Sequence, residues 1–283
     1  MQIRTVGVLG CGLMGSGIAQ VCAAAGYKTV VREVEQRFLD KGMTRIRKFL
    51  DDGVAKGKVT VEIREATLGN LSGSTSVDDL GACDLVIEAI VENLDGKKTT
   101  YAALEPIVGG HTIFVSNTSS LCITELAAAT RRPDRFAGLH FFNPVPIMKL
   151  VEVIRALTTA DETYQTVFAF AQSLGKEAIT APDRPGFIVN RLLVPYLLDA
   201  IRAYEHGLGT LEDIDKGMKL GCGYPMGPFT LLDFVGLDTT YFIANIMFEE
   251  FREPAYAPPP LLKRMVLAGY HGRKSGRGFY SYA

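Results

Sequence analysis

Gly10-Cys11-Gly12-Leu13-Met14-Gly15 directly follows a β-branched apolar run, Thr5–Leu9, and opens a helical pattern, Leu13–Ala25, that stops at Gly26. This constrains the fold more than any other stretch, because three glycines are needed there for three separate reasons. Gly10 permits a sharp turn out of the strand, Gly12 lets the backbone approach a pyrophosphate, and Gly15 lets the helix lie close on the strand. The free N–H groups and the dipole at the helix start favour phosphate. Between a strand and a helix the pattern predicts a dinucleotide-binding turn, with Gly10, Gly12, Leu13, Met14 and Gly15 as its contact set. The competing reading is a tight turn that serves packing alone. A second strand pattern, Thr29–Arg32, ends at Glu33, eighteen residues after Gly15. A carboxylate there can accept from ribose hydroxyls and repels a 2′-phosphate, which favours NAD over NADP despite Arg32 and Arg37 nearby. Alone, Glu33 also reads as a solvated strand-end charge.

The rest of the first half repeats the alternation of short β-rich runs with helical patterns, the mark of a parallel α/β sheet. Further strands are expected at Leu85–Ala89, Ile113–Ser116, Phe136–His140, Val151–Ile154 and Ala178–Thr180. Helices are expected at Glu35–Leu50, Ile63–Leu68, Gly96–Ile107, from about Ile123, and at Glu162–Leu174, the last ended by Gly175. After Asp183-Arg184-Pro185-Gly186 the strand signals stop. Ile188–Glu205 has helical spacing and is apolar on so many sides that burial is expected. Helices follow at Leu211–Leu220, Phe229–Val235, Asp238–Phe251 and Pro260–Ala268. The expected architecture is an α/β Rossmann-type domain with a mostly parallel sheet over residues 1–184, then an all-α domain over residues 185–283.

Composition narrows the partners. A formal net charge of −1 argues against a dedicated nucleic-acid or membrane-surface binder. No apolar run reaches the roughly 18 residues of a membrane span. The five cysteines are scattered without a CxxC pair, so neither a disulfide framework nor a metal site is expected, and a reducing compartment fits. The first residues run straight into strand pattern, which leaves no room for a leader peptide. The expectation is a soluble cytoplasmic protein.

Chemistry concentrates in Gly138-Leu-His-Phe-Phe-Asn-Pro-Val-Pro-Ile-Met-Lys-Leu-Val-Glu152. Pro144 and Pro146 pin the connection between two apolar runs, so His140 on one can face Glu152 on the other. A carboxylate against an imidazole orients it and raises its basicity. Taken alone, His140 reads as a satisfied structural residue and Glu152 as an edge charge. Yet a carboxylate among Val151, Val153 and Ile154 is costly unless paired. Asn117-Thr-Ser119-Ser120 follows a strand end, where ligands of open parallel sheets bind. Its hydroxyls either donate to a substrate oxygen or cap the helix from Ile123. Asn190, near the start of the long helix, needs a partner from substrate or backbone. Arg45, Arg47, Lys48, Lys56 and Lys58 form either a phosphate-binding cluster or a solvated helix face.

With these residues in place the chain resembles the L-3-hydroxyacyl-CoA dehydrogenase family, most specifically its stand-alone bacterial 3-hydroxybutyryl-CoA dehydrogenases. The resemblance spans essentially the whole chain. It rests on Gly10–Gly15, Glu88-Ala-Ile-Val-Glu92, Ser116–Ser120, Gly138–Pro146, Pro185-Gly-Phe-Ile-Val-Asn-Arg191, Gly227-Pro228, Gly236-Leu-Asp238 and Gly272–Gly278. It implies that His140 is the catalytic base and Glu152 its partner, and that Ser119 and Asn190 touch the reacting oxygens. It also implies that Glu33, Glu92, Lys97, Asn117 and Lys274 contact NAD, and that the helical domain forms a homodimer and closes over the acyl-CoA substrate, with Lys56 a candidate coenzyme A contact. Two positions depart from the family pattern: Glu33 where aspartate is common, and Tyr224 where histidine precedes the proline. Dehydrogenases of the same fold acting on free hydroxy or sugar acids, such as gulonate, share the His–Glu pair. A non-catalytic NAD-binding protein would need no such pair.

Overall fold

In the computed structural model, which describes residues 2–282, the apolar runs of the first half pair as one eight-stranded sheet. The strands are β1 (Thr5–Leu9), β2 (Lys28–Arg32), β3 (Leu71–Ser74), β4 (Leu85–Glu88), β5 (Ile113–Ser116), β6 (Phe136–Phe141), β7 (Leu150–Arg155) and β8 (Glu177–Pro182). Their spatial order is β3-β2-β1-β4-β5-β6-β7-β8. Every pairing is parallel except β6–β7, which is antiparallel. Every residue of β4, β5 and β6 is buried, which is why these strands read as continuous apolar runs rather than alternating ones. Helices α1 (Leu13–Ala24), α2 (Gln36–Ala55), α3 (Val61–Gly69), α4 (Leu94–Leu104), α5 (Ile123–Ala128) and α6 (Asp161–Ser173) complete this Rossmann-type unit. Val6, Val8, Ile87, Val115 and Leu139 of the sheet share a core with Ile18 and Cys22 of α1 and Ile46 of α2. Full burial of one such aliphatic side chain contributes roughly 1.5–3 kcal/mol.

Three expectations change. Strand β3 was not foreseen, because Leu71-Ser-Gly-Ser74 is short and polar. It forms at the sheet edge on backbone pairing with β2, and a Cβ on Gly73 would lie 3.0 Å from Leu39 Cδ1 of α2. Helix α2 runs five residues past its expected end at Leu50. Gly53 stays helical because the returning chain packs against it, where a Cβ would meet Val59 at 2.8 Å. The helix stops instead before Gly57, which has φ +65°.

Contacts divide the chain into Met1–Asp183 and Arg184–Ala283. Among the described residues the helices of the second unit are α7 (Val189–Glu205), α8 (Leu211–Gly221), α9 (Pro228–Val235), α10 (Leu237–Phe251) and α11 (Pro260–Leu267), with two single-turn 3₁₀ segments and two isolated β-bridges near the C-terminus. Burial of α7 is the third change. Val194, Leu197, Leu198 and Ile201 form one buried stripe against Phe229, Leu232, Ala244 and Met247, while Leu192 is 73% exposed. The helix is therefore amphipathic, not buried all round. Two buried carboxylates tie this unit together. Asp215 accepts from Phe229 N at 2.7 Å and Thr230 N at 3.0 Å, capping α9. Asp233 accepts from Phe279 N, Tyr280 N and the Tyr282 hydroxyl, fastening the C-terminal segment. Among the described residues no single helix is long and apolar enough to cross a membrane.

Candidate active site

The strand order reverses between β1 and β4, and the crevice at the carboxyl ends of such a sheet is where ligands bind. Gly10, with φ +90°, makes the turn there, and a Cβ on it would lie 2.7 Å from Ala89 O. A Cβ on Gly15 would lie 1.9 Å from Gly10 O, so only glycine lets α1 sit on the turn. Gly12 differs: a Cβ there would meet nothing within 4 Å. Its glycine therefore answers no crowding inside the protein; it leaves room on the outer side for a group that approaches the backbone. No side chain caps the first turn of α1 and no acidic residue lies in it, so its N–H groups suit an anion. Leu13 is exposed and Met14 half-buried at this helix start. Just beyond β2, Glu33 accepts from Cys11 N at 2.8 Å, so its longer side chain reaches back to the turn. Burial, with Glu33 beside it, pushes the Cys11 thiol up to about 11 despite nearby Arg45, which keeps it an unreactive thiol. These features fit the pyrophosphate and ribose of a dinucleotide.

At the next strand ends lies a buried charge cluster. Glu88, at the end of β4 and 0% exposed, accepts from Lys97 Nζ at 2.6 Å, Ile90 N at 2.9 Å and Ser116 Oγ at 2.7 Å. Lys97, 1% exposed, also meets Glu92 Oε2 at 3.0 Å. The other oxygen of Glu92 accepts from the Thr118 hydroxyl and from Ser119 N at 3.0 Å. Thr118 Oγ1 in turn accepts from Ser120 N and Leu121 N. The hydroxyls of this loop do not cap α5. Asp183, sixty residues on, does so by accepting from Ile123 N at 2.8 Å and Thr124 N at 2.7 Å. Of the two readings of Ser119, helix capping is therefore removed.

The antiparallel register of β6 and β7 sets His140 directly opposite Glu152, which puts both side chains on one face of the sheet. His140 Nδ1 and Glu152 Oε2 are 2.7 Å apart, with the residues 4% and 0% exposed. The Phe142 ring centroid lies 4.6 Å from the imidazole. Asn117 Oδ1 accepts from Phe141 N at 2.9 Å and so ties the Asn117–Ser120 loop to the histidine's strand. A carboxylate on Nδ1 orients the imidazole and fixes its tautomer. The glycine turn, Glu33, the Glu88–Glu92 segment, the serine loop and the His–Glu pair all lie along one edge of the sheet.

Comparison with known proteins fits this arrangement. The family model described as "3-hydroxyacyl-CoA dehydrogenase, NAD binding domain" matches residues 5–184, and "3-hydroxyacyl-CoA dehydrogenase, C-terminal domain" matches residues 186–282. The chain belongs to the 3-hydroxyacyl-CoA dehydrogenase family. It is 50% identical over 282 residues to a 3-hydroxybutyryl-CoA dehydrogenase of Mycobacterium tuberculosis, covering 99% of each chain. It is 49% identical over 288 residues to the human mitochondrial hydroxyacyl-coenzyme A dehydrogenase, covering 99% of this chain and 91% of that one. The crystal structure of (S)-3-hydroxybutyryl-CoA dehydrogenase from Ralstonia eutropha superposes with a TM-score of 0.95 at 48% identity, each chain covered in full.

Several of the residues singled out from the sequence have protein partners. Lys97 is enclosed between Glu88 and Glu92, which it meets at 2.6 and 3.0 Å. Arg45 leaves the basic cluster: its guanidinium donates to Gly12 O at 3.0 Å and Ser16 Oγ at 3.1 Å, bracing the glycine turn. Lys48 pairs with Asp52 on its own helix. Lys56 stands exposed at the C-cap of α2. In the second unit Asn190 is half-buried in the first turn of α7, and Lys274 donates to Asp238 at 2.7 Å. Sequence reading missed the roles of Glu88 and Asp183, and the bracing of the glycine turn by Arg45. The available signal for Glu88 was a carboxylate closing the apolar run Leu85-Val-Ile.

Proposed function

We propose that this enzyme interconverts (S)-3-hydroxyacyl-CoA and 3-oxoacyl-CoA with NAD, acting on short acyl groups of the 3-hydroxybutyryl and acetoacetyl kind. The observation that carries the reading is the buried 2.7 Å His140–Glu152 pair on the same sheet edge as a dinucleotide turn. Full-length identity of about half the residues to enzymes named for this substrate class supports it.

Glu152 fixes the imidazole with Nδ1 protonated, so His140 Nε2 takes the proton of the C3 hydroxyl in oxidation and returns it in reduction. The buried carboxylate stabilises the imidazolium as it forms. Bound at the glycine turn, NAD supplies the hydride acceptor. Gly10, Gly12, Gly15 and the start of α1 would hold its pyrophosphate, with Leu13 and Met14 beside it. Glu33 would hold the adenosine ribose, and Glu92 and Asn117 would border its reactive end. Ser119 orients a substrate oxygen so that proton and hydride leave in one geometry, and Asn190 of the helical unit is a further candidate for substrate contact. Lys56 attracts a phosphate of coenzyme A, and Lys274 is a further cofactor contact. The helical domain carries the homodimer contact; Leu208, Leu220 and Leu267, each at least 70% exposed, support that assignment. Five free cysteines support a reducing, cytoplasmic setting.

The test is the absorbance at 340 nm of NADH or NADPH with acetoacetyl-CoA, longer 3-oxoacyl-CoA esters and, in the oxidative direction, gulonate with NAD. Turnover with NADH and acetoacetyl-CoA well above the other pairs is expected. A flat trace with every CoA ester, or preference for the sugar acid, overturns the assignment.

A further inference from the structure

Glu88 is a buried carboxylate for which neither proton nor hydride transfer has a direct use, yet it joins both halves of the site. Its backbone carbonyl accepts from Asn117 N at 2.8 Å, so β4 and β5 end together. Its side chain accepts from Ile90 N on the cofactor side, where Ala89 lies against Gly10 and Gly15. On the substrate side it accepts from Ser116 Oγ, which itself accepts from Thr118 N at 3.2 Å. Through Lys97 it reaches Glu92, whose other oxygen holds Thr118 and Ser119 N. Two carboxylates thus share one ammonium inside the protein, and the one facing the serine loop is only half held by it.

We propose that Glu88 is a positioning residue of the reaction. By balancing Lys97 it leaves Glu92 free to hold the Thr118 hydroxyl and Ser119 N, and so sets Ser119 for substrate. The proposal rests on the dehydrogenase reading above for what Ser119 does, but not for the structural coupling itself.

Glu88→Gln keeps the shape and removes the charge. The amide oxygen can still accept from Lys97 or Ile90 N, while its NH₂ turns donor toward Ser116 and reverses that hydrogen bond. The ammonium, no longer shared, draws Glu92 inward and away from the Thr118 hydroxyl and Ser119 N. Hydrogen exchange read by mass spectrometry is then expected to speed up about tenfold or more in the peptide over Asn117–Cys122, with the α1 peptide unchanged. With acetoacetyl-CoA and NADH, kcat is expected to fall about 10- to 100-fold, in line with misplacement of an orienting group, and NADH affinity by fluorescence to stay within about threefold. The loss should be smaller in a Lys97→Met background, because the part of the effect that acts on Glu92 passes through Lys97.

A purely structural role would instead lower the melting temperature, with kcat of the folded enzyme unchanged. If Glu88→Gln fails to fold, Ser116→Ala removes one hydroxyl of the same chain of bonds, and the same faster loop exchange is expected. Wild-type exchange over Asn117–Cys122 in the folded variant overturns the proposal, as does additivity of the Glu88 and Lys97 losses. If the wild type itself turns over no CoA ester, the reaction assignment fails while the exchange experiment still decides the coupling.

Discussion

Glu152→Gln is the sharpest perturbation of the proton relay, because it changes charge and almost nothing else. In the wild type the carboxylate lies 2.7 Å from His140 Nδ1 with both groups buried. During oxidation the imidazole gains a positive charge, whose centre lies about 4 Å from that of the carboxylate. At an effective dielectric constant near 20 this attraction is about 4 kcal/mol, which corresponds to about a thousandfold in rate at 1.36 kcal/mol per decade. The glutamine carbonyl can still accept from Nδ1, and a neutral hydrogen bond has about half the strength of a charged one. The expected loss in kcat therefore lies between about 30-fold, if half of the attraction is retained, and about 10³-fold, if none is. Glu152 lies two strands beyond the loop that borders the cofactor, so the dissociation constant for NADH should change less than about threefold. Steady-state reduction of acetoacetyl-CoA at 340 nm, with NADH binding followed by fluorescence, reads both quantities. A kcat within threefold of wild type in a folded variant would falsify the role given to the carboxylate.

Other consequences follow from the same geometry. Gly12→Ala should leave stability within about 1 kcal/mol, since its Cβ meets open space, but should weaken NADH binding about tenfold or more. Gly15→Ala should instead destabilise the fold by several kcal/mol, because its Cβ would overlap Gly10 O; urea denaturation separates the two cases. Lys56→Ala should raise the KM for the CoA ester and not for NADH, and an unchanged value would clear Lys56 of phosphate binding. Asp84 is raised by burial, but its hydrogen bonds from Arg4 N, Thr5 N and Thr5 Oγ1 outweigh this and hold its carboxyl below the usual range. A lowered folded-state value stabilises above the unfolded value and is lost as pH falls through the folded one. Asp84→Asn should therefore cost about 1–3 kcal/mol at pH 7, and the deficit should shrink below about pH 4.

The parts of this site that were readable in sequence share one property: their geometry is set by local spacing. The glycine turn needs six residues in a row, and His140 and Glu152 meet because a short pinned connection leaves one antiparallel register open to them. Strands β1, β4, β5, β6 and β7, buried along most of their length, were readable from their apolar runs. Edge strand β3 was not, because its polar residues answer to backbone pairing and not to burial. The contacts that were not read act at long range. Asp183 caps a helix that begins sixty residues earlier, and Arg45 reaches from the second helix to the first glycine turn. Glu88 could have been found: the argument that a carboxylate in an apolar run needs a partner applies to it as it does to Glu152. Whether Ser119 capped a helix could only be decided once a different cap was seen.

The central claim is that His140 moves the proton while hydride moves to or from NAD at a 3-hydroxyacyl thioester. The most direct measurement is reduction of acetoacetyl-CoA by NADH in wild type and His140→Gln, with NADH affinity measured on the same samples. The account predicts ready turnover by the wild type and a loss of about 10²-fold or more in the variant with NADH still bound, the scale of general acid–base catalysis. Near-normal turnover by the variant, or none by the wild type, contradicts it.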